Sequence, residues 1–183
     1  VITLYVSMAG SNIDHLKSIR LNHELRSTLA LMARDIRRAG HNQDAATEST
    51  AATSINPFST NSGTVVTVDA SQASIAFSYD DNDDANIDTY GYRFNTTDGT
   101  VEYCNNASVG GVACSDWEAL TDEDLIEITD LNFNYEPTAV VSSGALSGRQ
   151  VTISLTGELR SDTDFTKTVG EVVKIRNGHS LSW

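Results

Sequence analysis

Between residues 21 and 40, apolar side chains recur every three or four positions. With Leu25 as zero and about 100° of rotation per residue, Leu21, Leu25, Leu29, Met32, Ile36 and Ala39 share an arc of roughly 80°, a narrow core-facing stripe. Arg20, Arg26, Arg34, Arg37 and Arg38 fall on the far side. Followed backwards the stripe runs into Ser18, Asp14, Ser11 and Ser7 and ends. The apolar residues of the first half, among them Leu4, Tyr5, Met8, Ile13 and Leu16, are instead scattered around the axis. The pattern predicts one helix over 1–40 whose second half, 21–40, packs on a body through Leu21, Leu25, Leu29, Met32 and Ile36. Its first half, 1–20, projects, with Leu4, Tyr5, Met8, Ile13 and Leu16 available for interaction. Arg37 and Arg38 in the last turn suit the negative end of the helix dipole, and Gly40 suits the left-handed residue that ends a helix.

Residues 41–62 are rich in Ala, Thr, Ser and Asn with little periodicity, and read as a connector loop. From residue 63 the period falls to two, the mark of strands. Thr64–Asp69, Ala73–Tyr79 and Thr89–Asn95 alternate, and Asp98-Gly99 is a hairpin turn leading to Val101 and Tyr103. Ile126–Glu136 changes phase near Asp130, which predicts a turn or bulge there. Val151–Leu159 and Lys167–Arg176 complete a β-rich body over 63–183. The expected class is α+β, one long N-terminal helix laid on an antiparallel sheet.

Charge sharpens the division. Residues 1–40 hold six basic and three acidic side chains, a net +3, whereas the remaining 6 Lys+Arg and 22 Asp+Glu leave −16 on the rest. So acidic a body repels phosphates, which argues against a nucleic-acid partner. The basic back of the helix is the place where an acidic protein surface would dock. No run of 18 apolar residues is present to span a membrane. The chain opens on Val rather than Met, and Val-Ile-Thr-Leu-Tyr-Val reads as the tail of an apolar segment, which suggests that an upstream membrane part has been removed.

Cys104 and Cys114 enclose Asn-Asn-Ala-Ser-Val-Gly-Gly-Val-Ala. The Gly-Gly centre lets this loop fold back and join the sulfurs as a disulfide, which implies an oxidising compartment; the alternative is a pair of buried thiols. The acidic run 80–88 places Asp80, Asn82, Asp84 and Asp88 at the alternating oxygen spacing of calcium loops. Ala85 and Gly91 stand where such loops carry Gly and Glu, so the match is partial, and a solvated hairpin tip is the competing reading. Catalysis has little support. His15, His23, His41 and His179 form no metal pair, no nucleophile elbow or phosphate loop occurs, and carboxylate pairs such as Glu123/Asp124 are expected on any solvated face. The chain does not read as an enzyme.

The helix sequence Leu-Asn-His-Glu-Leu-Arg-Ser-Thr-Leu-Ala-Leu-Met-Ala-Arg-Asp-Ile-Arg-Arg-Ala-Gly at 21–40, with Ile-Thr-Asp-Leu-Asn-Phe-Asn-Tyr at 128–135 and Val-Lys-Ile-Arg-Asn at 173–177, resembles the minor pilins of the type IV pilus, of the PilW kind. These are related to the J-type pseudopilins of type II secretion. The resemblance implies a type IV pilin-like fold whose hydrophobic helix continues upstream behind a leader-peptidase site. It implies an inner-membrane protein with a periplasmic domain, later part of a pilus at the cell surface. It further implies packing in the pilus filament and a complex with other minor pilins that initiates assembly. A J-type pseudopilin, and a calcium-dependent surface-binding or adhesion module, are the alternatives.

Overall fold

The computed structural model describes residues 2–41, 65–81, 87–136 and 149–175, with side chains from residue 14 onward. Helix α1 runs Ile2–Arg37. Residues 38–40 continue it as a turn, in which the Arg38 and Ala39 amides donate to the Asp35 and Ile36 carbonyls at 3.0 and 3.1 Å. Gly40 then takes φ +77°, a left-handed conformation that costs glycine nothing. Its amide leaves the helix axis to donate to the Ser78 carbonyl at 2.8 Å.

Among the described residues eight strands follow: β1 (Val66–Val68), β2 (Ser74–Tyr79), β3 (Asp88–Asn95), β4 (Thr100–Cys104), β5 (Glu118–Ala119), β6 (Ile126–Glu136), β7 (Gln150–Leu159) and β8 (Asp162–Lys174). All neighbouring pairs are antiparallel. They do not form the single sheet that the alternation suggests. Strands β1 to β5 make a five-stranded meander, and β6 to β8 a separate three-stranded sheet.

The reason lies at the free edge of β6. The Ile128 amide there donates to the Gly99 carbonyl at 2.8 Å and the Phe133 amide to the Gln72 carbonyl at 2.7 Å. Both acceptors sit at turns of the first sheet, so that sheet meets β6 by its turns instead of running alongside it. The Gln72 turn is set by Asp69, whose carboxylate accepts the Ser71 and Ser74 amides at 3.1 and 2.8 Å.

Helix α1 lies on the three-stranded sheet, against β7 and β8. Inward positions of β7 alternate with polar ones, so Val151, Ile153, Leu155 and Leu159 are buried with Leu21, Leu25, Leu29, Met32, Ile36 and Ala39 of the helix. In β6 the register shifts between Ile128 and Asp130. One extra residue, Thr129, brings Leu131 and Phe133 back to the face that Ile126 and Ile128 occupy, and all four are buried.

The inner face of the first sheet is aromatic. Phe77, Tyr79, Tyr90, Tyr92 and Tyr103 form a layer with ring centroids as close as 4.7 Å, between Tyr79 and Tyr90. Behind this sheet, Cys104 and Cys114 are joined in a disulfide. The loop it closes packs through Ala107 and Val112 onto Ala76, with Trp117 beside them. Gly91 makes room, since a Cβ there would lie 3.0 Å from Ala107 Cβ and 3.2 Å from the Trp117 ring. The turn within this loop uses Val112 at φ +51° and not either glycine of the Gly-Gly pair.

Candidate functional site

Two faces of α1 do different work. The buried stripe begins at Leu21. On the opposite side, Leu16 and Ile19 are the most exposed large apolar residues among those described, at 67% and 64%. Counted from Leu25 at about 100° per residue they fall near 180° and 120°, directly away from the body. Arg20, His23, Arg26, Ala30 and Arg34 continue that outward face and are exposed.

The body holds the helix one turn earlier than the apolar stripe alone implies. Lys17 Nζ lies 2.8 Å from Asp162 Oδ2 at the start of β8. The same ammonium sits 5.6 Å from the Phe165 ring centroid. The hydrogen bond to Asp162 raises the Lys17 pKa, and its counterpart lowers that of Asp162. Nothing near Lys17 in the chain marks this tie, because its partner is 145 residues away.

Arg37 and Arg38 do not belong to the outward face. Arg37 reaches Glu171 of β8 at 3.1 Å, and Arg38 reaches Asp81 at 2.8 Å. Arg38 also stacks on the Tyr79 ring, 4.3 Å from its centroid. Long guanidinium arms bend back around a helix edge to charged partners, and Arg38 lies past the end of the regular helix, where angular counting no longer applies.

Asp35 ties the helix to the aromatic layer by accepting the Tyr92 hydroxyl at 2.7 Å. Burial, followed by this hydrogen bond, raises the Tyr92 pKa. Burial likewise raises Tyr103, Tyr90 and Tyr79, the last to about 12.

Of the oxygens that match a calcium loop, Asp80 is buried and Asp88 half-buried, while Asn82 and Asp84 lie outside the described residues. The Asp81 amide approaches Asp88 Oδ2 at 3.4 Å, and Asp81 itself accepts the Tyr90 hydroxyl at 3.0 Å. At the base of this loop the counter-charge is the Arg38 guanidinium. Among the described residues no group of three or more His, Cys, Asp or Glu is placed to hold a metal.

Of the other residues the sequence singled out, His15 and His23 are exposed, and His179 and the side chains of Leu4, Tyr5, Met8 and Ile13 lie outside the described set. Glu123 and Asp124 line an open hollow of about 370 Å³ with Thr97, Asp98 and Arg160. Arg160 is the one cation of these five. It is already committed to Glu127 at 3.1 Å and to the Asp98 carbonyl at 2.6 Å, so the rim stays acidic.

Helix α1 thus has one face seated on the body and the other bare, and the antiparallel body carries a disulfide-closed loop. The family model described as PpdB, prepilin peptidase-dependent protein B, matches residues 14–175. The chain belongs to this family. It is therefore a pilin-related protein of the kind processed by prepilin peptidase, which points to association with pilus components. The match spans both sheets and the disulfide loop. No match was found among the curated proteins or the solved structures. Among the described residues no helix is long and apolar enough to cross a membrane.

Proposed function

We propose that the chain is a minor pilin of the PilW kind, a structural subunit and not an enzyme, that takes part in initiating assembly of a type IV pilus. The observation that carries this reading is the division of α1. From Leu21 onward the helix is the spine of the body, yet one turn earlier Leu16 and Ile19 are presented outward on a segment that Lys17 pins to β8. Adjacent exposed apolar residues on one helix face suit an interaction surface, and such a face is what a neighbouring subunit would pack against. The disulfide agrees with a periplasmic body before assembly, and membership of a prepilin peptidase-dependent family with a protein held in the inner membrane until then.

Cross-linking the full-length protein in cells, followed by purification through a tag on its body, tests the proposal. Recovery of other minor pilins, and loss of surface pili when the chain is deleted, are the expected results. Recovery of secretion pseudopilins with pili intact would assign it to the secretion machine. Recovery of no pilin-like subunit would overturn both.

A further inference from the structure

Of the six basic residues on residues 1–40, Lys17, Arg37 and Arg38 are paired with the chain's own carboxylates across the fold. Arg20, Arg26 and Arg34 remain on the outward face, where, among the described residues, Arg26 bonds one turn back to Asn22 and Arg34 to the adjacent Asp35. This basic row continues the apolar pair Leu16 and Ile19. From the exposed apolar pair, the row of outward arginines and the −16 charge on the rest of the chain, we infer that the outward face of α1 docks the acidic surface of a second copy. The inference rests on the reading of α1 as an assembly face.

Charge complementarity selects this occupant. Two helices meeting face to face through a two-fold axis would set the arginine rows against each other, which repel. The acidic hollow rimmed by Asp98, Glu123 and Asp124 offers the opposite sign. It lies beside the β7–β8 turn, near Asp162, which holds Lys17, whereas the arginine row points away from the body. A chain cannot fold its own outward face into its own hollow, so a contact that joins these two surfaces joins two copies. It is heterologous, joining one surface to a different one, and leaves a hollow and a helix face open at its two ends. Such a contact repeats along a row of subunits.

Two charge-reversed forms of the chain test this. One carries Arg20→Glu, Arg26→Glu and Arg34→Glu; the other carries Glu123→Lys and Asp124→Lys. Circular dichroism melts check that both fold. Sedimentation of the parent chain is expected to show association at low salt that disappears at high salt. Each reversed form alone should associate about tenfold or more weakly, and an equimolar mixture should regain association, because each form then meets its complement. A parent chain that stays monomeric at low salt, or a mixture no better than its components, overturns the inference. Binding of the parent chain to phosphatidylglycerol vesicles without self-association overturns it in favour of a membrane surface. If self-association fails while the chain still recovers minor pilins from cells, only this inference falls and the assembly role stands.

Discussion

Gly157 lies directly beneath Leu25: a methyl group added to the glycine would stand 3.0 Å from Leu25 Cδ2 and 3.0 Å from the Glu127 carbonyl oxygen. The leucine could move by a few tenths of an ångström, but the carbonyl belongs to β6 and cannot. Gly157→Ala is therefore expected to destabilise the protein by about 1–2 kcal/mol, the cost of overpacking less the gain from stiffening the unfolded chain. A thermal melt checks it, through a midpoint lower by several degrees.

The same helix gives opposite answers on its two faces. Leu25 is fully buried and Leu16 exposed. Leu25→Asp places a carboxylate in an apolar layer and should cost about 4 kcal/mol or more. Leu16→Asp should leave the midpoint within about 0.5 kcal/mol of the parent. Denaturant titration of both variants measures the difference.

The helix stripe was legible because burial and helical period coincide over Leu21–Ala39. The bulge in β6 was legible because the apolar residues change phase between Ile128 and Leu131. Other features depend on distant partners and leave no local trace. The split into two sheets turns on Gly99 and Gln72 carbonyls reaching the edge of β6. Strand β8 begins at Asp162 instead of Lys167: Asp162 pairs with Leu159 of β7 and is held by Lys17, with no hydrophobic alternation to mark it. Strand β5 is two exposed residues that no periodicity marks. On the candidate site, Leu16 was readable as an off-stripe residue, and the same angular count, about 100° per residue, would have placed Ile19 off the stripe too. The Lys17 tie needed the fold, and Arg37 and Arg38 moved off the outward face because their arms found carboxylates.

Alkaline pH should unfold the aromatic layer. Tyr79, Tyr90, Tyr92 and Tyr103 all have folded-state pKa values above the ordinary phenol value, Tyr79 at about 12, chiefly because burial disfavours the phenolate. The folded state thus holds these protons after the unfolded chain has lost them. Their contribution to stability is complete below about pH 10 and is lost as pH rises towards the folded values. Phenolate absorbance during an alkaline titration should lag that of the denatured protein and complete only with unfolding. Tyr92→Phe, which removes the hydroxyl bound to Asp35, should reduce the pH dependence of stability.

The disulfide closes a short loop over the back of the first sheet. Replacing Cys104 and Cys114 together by Ser should cost about 2–3 kcal/mol, the entropy returned to the unfolded chain by opening a loop of this length. A denaturant midpoint shifted down in the oxidised parent relative to the variant would contradict this. Because α1 lies on the other sheet, the outward face of the helix should be unaffected.

Leu16 and Ile19, the exposed pair at the root of the helix, are where the assembly role is most directly tested. Leu16→Asp with Ile19→Asp, in the full-length protein expressed in pilus-forming cells, should give a folded subunit with the parent melting point. Cross-linking should no longer join it to other minor pilins, and surface pili should fall towards the level of a deletion. Unchanged cross-linking and normal piliation with this variant would contradict the claim that the outward face of the helix is the assembly surface.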